Sequence, residues 1–402
     1  MTGVAELSGT DQVVVVGAGL AGAQCALKLR QGGWRGRIVL VGEERHAPYD
    51  RPPLSKEVLL GKTDATPLDI DYPHLGIELL TGRRATGLTP GVLHTDGGEL
   101  PYGALVIATG ATPRRLPGAE RAHLLHTLDD ALALRALLRP GLRLVLVGAG
   151  WIGAEVATAA REAGCTVTVV EAGPAPLPGA LPTEVGSAMA AWYAEAGVEL
   201  RCGVGVAAVE SGSVLLADGS HLAADEVVVG VGARPATDWL AGSGVELDGT
   251  GAVLVDERLR TGVPGVFAAG DCVSYPSARV GARLAVQHWD HALQSGEAAA
   301  AAVLGAEAPP YDPVPYFWSE QFGRMVQYAG RHAAGDRMLW RGGPGDASWA
   351  VLWLRDGVPS ALLTVDRPRD LTQGRRLIER GTALDPVRAA DPAVPLKAAA
   401  AL

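Results

Sequence analysis

Short apolar runs alternate with stretches of helical periodicity along the chain, and one such succession occurs twice. Val13 to Val16 form a β-branched run, the mark of a strand buried on both faces. It leads into Gly17-Ala18-Gly19-Leu20-Ala21-Gly22 and then an Ala- and Leu-rich stretch that predicts a helix to about Gln31. A second apolar run, Ile38 to Val41, ends at Gly42-Glu43. The same order returns at Leu144 to Val147, followed by Gly148-Ala149-Gly150-Trp151-Ile152-Gly153. A helix to about Ala163 and a strand from Thr166 to Val170, ending at Glu171, complete it. Each succession reads as a strand–helix–strand unit, and the recurrence is an internal duplication of architecture.

Each unit continues in a similar way. The first runs through a turn at Asp96-Gly97-Gly98 to an apolar strand, Leu105 to Ile107, that ends in Ala108-Thr109-Gly110. The second runs through a hairpin around Asp218-Gly219 to a strand from Val227 to Val231, then Gly232-Ala233-Arg234-Pro235. Val266-Phe267-Ala268-Ala269-Gly270-Asp271 follows, then a predicted helix from Trp289 to about Leu304. Pro309-Pro310 and Pro313 break the pattern. Aromatic strands such as Ser348 to Leu354, and the run Ala361 to Val365, predict a further α+β domain from there on.

Composition narrows the class. With 402 residues the chain is long enough for two or three domains, and 48% hydrophobic with 20% charged residues is a globular balance. The 53 glycines cluster at strand-to-helix turns, which excludes collagen-like and low-complexity readings. A formal charge of -9 opposes general affinity for nucleic acid or anionic membrane. No apolar run reaches the roughly 18–20 residues needed to span a bilayer, and Met1 to Thr10 carry no leader pattern. The expectation is a soluble, cytoplasmic protein. Cys25, Cys165, Cys202 and Cys272 are far apart and form no CxxC pair, which argues against a disulfide framework, a zinc site or a dithiol redox centre.

The glycine runs carry the first chemistry. In a GxGxxG unit between strand and helix, the first Gly permits the tight turn. The second lets the backbone approach a pyrophosphate, and the third brings helix and strand close. The candidate phosphate-binding residues are Gly17, Gly19, Leu20, Ala21 and Gly22 in the first unit and Gly148, Gly150, Trp151, Ile152 and Gly153 in the second. The helix N-terminus adds free N–H groups and partial positive charge. An acid near the end of the second strand can bind ribose hydroxyls: Glu43 lies 21 residues past Gly22, and Glu171 lies 18 past Gly153. A carboxylate at Glu171, followed by Ala172-Gly173-Pro174-Ala175 without Arg or Lys, favours NADH over NADPH. Ala108-Thr109-Gly110 and Gly270-Asp271 punctuate the chain where FAD proteins of this kind do, so the first unit is assigned to FAD.

Four segments then carry a family resemblance: Pro48-Tyr49-Asp50-Arg51-Pro52-Pro53-Leu54-Ser55-Lys56, the second fingerprint continued by Ala154-Glu155, the Gly270-Asp271 segment, and Pro315-Tyr316-Phe317-Trp318-Ser319-Glu320-Gln321. In these the chain resembles the NADH-dependent ferredoxin reductases of oxygenase and cytochrome P450 systems, of the putidaredoxin-reductase and biphenyl-dioxygenase-reductase type. The resemblance implies a glutathione-reductase-like α/β fold with two Rossmann-like dinucleotide-binding domains, for FAD and NAD, plus a C-terminal α+β domain. The expected boundaries are 1–112 and 247–312 for FAD, 113–246 for NAD and 313–402 for the last domain.

It also implies roles. Lys56 would sit beside the flavin and Glu155 would pair with it and meet the nicotinamide, where alignment matters more than acid–base work. Arg51, Pro52 and Pro53 would wall the isoalloxazine, Ala85 and Arg143 match FAD-contact positions, and Gly232 belongs to the NAD site. Asp271 would hold the ribityl chain or pyrophosphate, and Trp289 would lie over the flavin near the nicotinamide. Many relatives carry Arg-x-Glu just before that tryptophan, where this chain reads Ala285-Val286-Gln287-His288.

The implied partner is a [2Fe–2S] ferredoxin. Such proteins are acidic, so the docking face should be comparatively basic. Residues 311–402 hold 12 Lys/Arg against 10 Asp/Glu, whereas the rest of the chain holds 23 against 34. Trp318, Arg331, Arg337, Arg367 and Arg369 are candidates for docking, with Arg375 and Arg376 beside them. A rubredoxin reductase, or a flavoprotein with a binding role like apoptosis-inducing factor, are the competing readings. A thiol-dependent NADH oxidase or peroxidase would need a cysteine in the 40–56 segment, which has none.

Overall fold

The computed structural model of the protein describes residues 11–401; Met1 to Thr10, read above as lacking a leader, lie outside the described residues. The chain divides into two compact units. One comprises residues up to Asp50, Thr66–Thr112 and Ala233–Pro313; the other comprises Arg51–Ala65, Pro113–Gly232 and Val314 onward.

The first unit is built on a five-stranded parallel sheet, in the order Val266–Ala268, Ala104–Ile107, Val13–Val16, Ile38–Val41, Ile77–Leu80. All residues of Val13–Val16, Ile38–Val41 and Ala104–Ile107 are buried, because the sheet is covered on both faces and no position needs to be polar. The helices Leu20–Gln31 and Trp289–Val303 pack on one another through small residues. A Cβ at Gly296 would stand 2.4 Å from the Ala21 carbonyl oxygen, so an alanine there would overpack the contact by about 1–3 kcal/mol. An antiparallel three-stranded sheet, Ala85–Thr89, Val92–Thr95 and Gly98–Pro101, completes the motif.

The second unit repeats that plan. Its parallel sheet runs Glu199–Cys202, Thr166–Glu171, Arg143–Val147, Glu226–Val229, and its antiparallel sheet is Val206–Glu210, Ser213–Leu216 and His221–Ala223. In both units the glycine-rich strand is flanked by the strand after its helix on one side and the strand after its hairpins on the other. The same unit contains the C-terminal five-stranded antiparallel sheet, ordered Tyr316–Gln321, Arg324–Gly330, Val358–Val365, Trp349–Arg355, Arg337–Arg341. The Pro368–Arg380 helix packs on it through Leu371, Gly374, Leu377 and Ile378 and stops at Gly381 in the left-handed conformation.

Local differences from the sequence reading have simple causes. The strand expected at Val227 to Val231 spans Glu226–Val229, since the chain must leave the sheet where Gly230 passes Gly148. The Leu128–Leu137 helix carries a capping box from Thr127 and Asp130, an Asp standing in for the commoner Glu or Gln. Among the described residues no helix is long and apolar enough to cross a membrane.

Candidate cofactor cradles and the cluster at Glu155

The first cradle follows from three glycines with different constraints. Gly17 has φ +108°, and a Cβ there would fall 2.1 Å from the Ala108 carbonyl oxygen. A Cβ at Gly22 would fall 1.9 Å from the oxygen of Gly17, so the helix can approach its strand only without one. Gly19 meets nothing within 4 Å; it is the N-cap of the Leu20–Gln31 helix, with no side-chain cap and no acid in the first turn. The first N–H groups of the helix are thus left for a ligand, and any side chain at Gly19 would fill the space through which a phosphate approaches.

The second cradle has the same geometry. Gly148 has φ +104° and would meet the Gly230 oxygen at 2.4 Å, Gly153 would meet the Gly148 oxygen at 2.1 Å, and Gly150 faces open space as an uncapped N-cap. These residues fit a dinucleotide pyrophosphate in each unit.

The two acids read alike in sequence differ in surroundings. Glu171 ends its strand, is 8% exposed, and accepts hydrogen bonds from Ala149 N at 2.8 Å and Gly173 N at 2.7 Å. Its carboxylate therefore pins the loop of the cradle. Glu43 lies two residues past its strand, is exposed, and pairs with Arg84 at 2.7 Å.

Around the first cradle, Thr109 Oγ1 donates to the Ala236 oxygen at 2.8 Å and Gly110 takes φ +69°. Asp271 sits in the one-turn helix Gly270–Cys272, set against the Leu20–Gln31 helix by the approach of Gly270 to Ala21. Trp289 opens its helix and donates from Nε1 to Asp50 Oδ1 at 2.8 Å. Ala85 starts its strand and packs against the core of the same unit.

In the second unit a charged cluster forms around Glu155, which lies on the cradle helix and is 4% exposed. Its Oε2 accepts from Lys56 Nζ at 2.8 Å and from Ser55 Oγ at 2.5 Å; its Oε1 accepts from Ser319 Oγ at 2.7 Å. Gln321 Nε2 donates to Ser319 Oγ at 3.2 Å, and Lys56 Nζ also reaches the Pro52 oxygen at 3.3 Å. Arg51 donates to the His126 oxygen at 2.5 Å, holding the Pro52–Ser55 turn in place. Ser55, Ser319 and Gln321 went unmarked in the sequence reading. Ser55 and Ser319 lie 100 and 164 residues from Glu155, and the only signal was their presence in the two specific family segments.

Trp151 packs edge-on against Phe317 with ring centroids 4.6 Å apart, tying the second cradle to the C-terminal sheet. Ile152 is 45% exposed and Val231 38%; Gly232 beside them is exposed with φ +98°. Arg143 begins the strand that ends at the second cradle and pairs with Asp225 at 2.5 Å, holding that carboxyl down at about 2.

Of the docking candidates, Arg331, Arg337 and Arg369 are exposed and Trp318 stacks on Tyr316. Arg367 is engaged internally, with Asp370 at 2.6 Å and the Pro392 oxygen at 3.2 Å. All four cysteines are free, and burial pushes the thiols of Cys25 and Cys272 up to about 12 and 11. Thiols so protonated are poor nucleophiles.

Comparison with known proteins agrees with this geometry. A family model described as pyridine nucleotide-disulphide oxidoreductase matches residues 11–296, and one described as reductase C-terminal matches 316–400. The ferredoxin–NAD(+) reductase component of the p-cumate 2,3-dioxygenase system of Pseudomonas putida is 37% identical, over 96% of this chain and 98% of its own. A solved structure of a protein named Fdr9 matches with a TM-score of 0.92 at 46% identity, over 96% of this chain and 99% of that one. The reductase in a covalent putidaredoxin reductase–putidaredoxin complex also gives 0.92, at 32% identity, over 96% of this chain and 97% of that one. The chain belongs to the pyridine nucleotide-disulphide oxidoreductase family and ends in a reductase C-terminal domain.

Proposed function

We propose that the protein is an FAD-dependent NADH:ferredoxin reductase that supplies an oxygenase, such as a cytochrome P450, through a [2Fe–2S] ferredoxin. The observation that carries this reading is the pair of matched dinucleotide cradles, one per unit, with the buried Glu155 on the helix of the second paired to Lys56 at 2.8 Å. FAD held in the first cradle would supply the chemistry needed between a hydride donor and an iron–sulfur acceptor, which takes electrons one at a time.

The chain's own residues bind and orient. Gly17, Gly19 and Gly22, with Thr109, Gly110 and Asp271, form the FAD side, and the last of these accepts hydrogen bonds from the dinucleotide. Gly148, Gly150 and Gly153 hold NADH, and Glu171 receives a free ribose hydroxyl while repelling a 2′-phosphate. Lys56 would supply the positive charge that stabilises a reduced flavin. Glu155 keeps that ammonium in place, and Ser55 and Ser319 keep Glu155 in place. No cysteine takes part, in keeping with four free thiols and no close pair. Those free thiols also fit a reducing cytoplasm.

The test is a coupled assay of cytochrome c reduction with NADH, with and without an oxidised [2Fe–2S] ferredoxin. Reduction that requires the ferredoxin and strongly prefers NADH over NADPH is expected. Reduction that responds to rubredoxin alone would move the protein to the rubredoxin reductases.

A further inference from the structure

Gly270 is held by two side chains one turn apart on the Trp289–Val303 helix. Its N–H donates to Ser295 Oγ at 2.8 Å, and its carbonyl oxygen lies 3.2 Å from His291 Nε2. Ser295 is 0% and His291 4% exposed, so water does not compete for either bond. A carbonyl oxygen can only accept, so Nε2 carries the imidazole proton. Nδ1 then accepts from the Tyr311 hydroxyl, 2.8 Å away. Tyr275 stacks on the imidazole at 5.3 Å and 14°, and Tyr311 meets Tyr275 edge-on at 5.1 Å. On its other side Gly270, at φ +76°, is backed against Ala21 of the cradle helix. Both backbone polar groups of Gly270 are thus satisfied by buried side chains, and the carbonyl that His291 holds belongs to the peptide leading into Asp271.

We propose that His291, fixed in one tautomer by Tyr311, is a positioning residue for FAD: it holds the Gly270 peptide and so aims Asp271 at the dinucleotide. This inference rests on the reading of Asp271 as an FAD ligand. Glycine has more backbone conformations open to it than any other residue, and reorienting the Gly270 peptide would redirect the carboxylate that follows it. The clamp removes that freedom during folding, so binding does not have to order the turn. An imidazole suits the task because one ring nitrogen donates while the other accepts and the ring remains uncharged. Burial lowers its proton affinity to a value of about 4.

The experiment is FAD binding to the deflavinated full chain, followed by flavin fluorescence and visible absorption. Asp271→Ala, His291→Phe, Tyr311→Phe and each double variant with Asp271→Ala are compared. We expect Asp271→Ala and His291→Phe each to raise the FAD dissociation constant at least tenfold and to shift the flavin absorption band alike. The double variant should bind within about threefold of Asp271→Ala alone, since the clamp acts only through that carboxylate. His291→Gln, which keeps a donor, should restore much of the affinity. Tyr311→Phe deletes one hydroxyl, so it should fold; it should weaken binding in the same non-additive way, and it decides the matter if His291→Phe is unstable. Multiplicative effects, or wild-type affinity in both clamp variants while Asp271→Ala binds poorly, would overturn the clamp. Unchanged affinity in Asp271→Ala would instead overturn the reading of Asp271 on which it rests.

Discussion

Glu155 and Gln24 occupy matching places on the two cradle helices and do different work. Gln24 reaches across to Glu297 at 2.8 Å, a helix-to-helix contact, whereas Glu155 collects Lys56, Ser55 and Ser319. The acid is therefore a demand of the second site and not of the fold. Glu155→Gln keeps the shape but leaves the half-buried Lys56 ammonium without its counter-charge. Stopped-flow mixing with NADH should show flavin reduction at least ~10-fold slower, about 1.4 kcal/mol on the barrier, with flavin content retained. An unchanged rate would remove Glu155 from the mechanism.

Two neighbouring histidines make a second prediction at this scale. Burial first, and mutual repulsion for His288, lower both His288 and His291 from 6.5 to about 4. The unfolded chain then binds more protons than the folded one between those values. Stability is full above about pH 6.5 and is lost as pH falls toward 4, by on the order of 3 kcal/mol per such group. Denaturant unfolding across that window should show the slope, and His291→Gln should flatten it.

Among the elements, the two strand–helix–strand units were legible because they combine continuous apolar runs, glycines at fixed offsets and a terminal acid. The Pro368–Arg380 helix was not, since only Leu371, Leu377 and Ile378 mark its buried stripe amid charged neighbours. The cluster at Glu155 was half legible. Lys56 and Glu155 stood in recognisable segments, but Ser55 and Ser319 reach Glu155 from 100 and 164 residues away, and no local pattern encodes such meetings. The duplication itself permits a clean test. Gly22→Ala would press a methyl to 1.9 Å from the Gly17 oxygen, and Gly153→Ala would press one to 2.1 Å from the Gly148 oxygen. Gly22→Ala should purify largely without flavin. Gly153→Ala should keep its flavin yet respond to NADH only at raised concentrations, as read by flavin absorbance. Equal loss of flavin in both would contradict the assignment of FAD to the first cradle.

Over the whole molecule, charge is unevenly divided: residues 311–402 carry 12 Lys/Arg against 10 Asp/Glu in a chain of net charge -9. Arg331, Arg337 and Arg369 are exposed, while Arg367 is tied to Asp370. Attraction between such charges and an acidic partner is screened beyond about 8 Å at physiological salt. The ferredoxin reaction should therefore slow as salt rises, and Arg337→Glu should lower both the rate and its salt slope. A salt-independent rate would move docking elsewhere on the surface.

The central claim, hydride in from NADH and single electrons out to a ferredoxin, is tested most directly by anaerobic double mixing. The flavin is first titrated with NADH and then met with an oxidised [2Fe–2S] ferredoxin, and both absorptions are followed. The account predicts bleaching of the flavin by NADH, followed by rapid recovery as the ferredoxin is reduced, with two ferredoxins consumed per NADH. Bleaching without recovery would contradict the assigned acceptor, and a protein that binds no flavin or ignores NADH would contradict the account at its root.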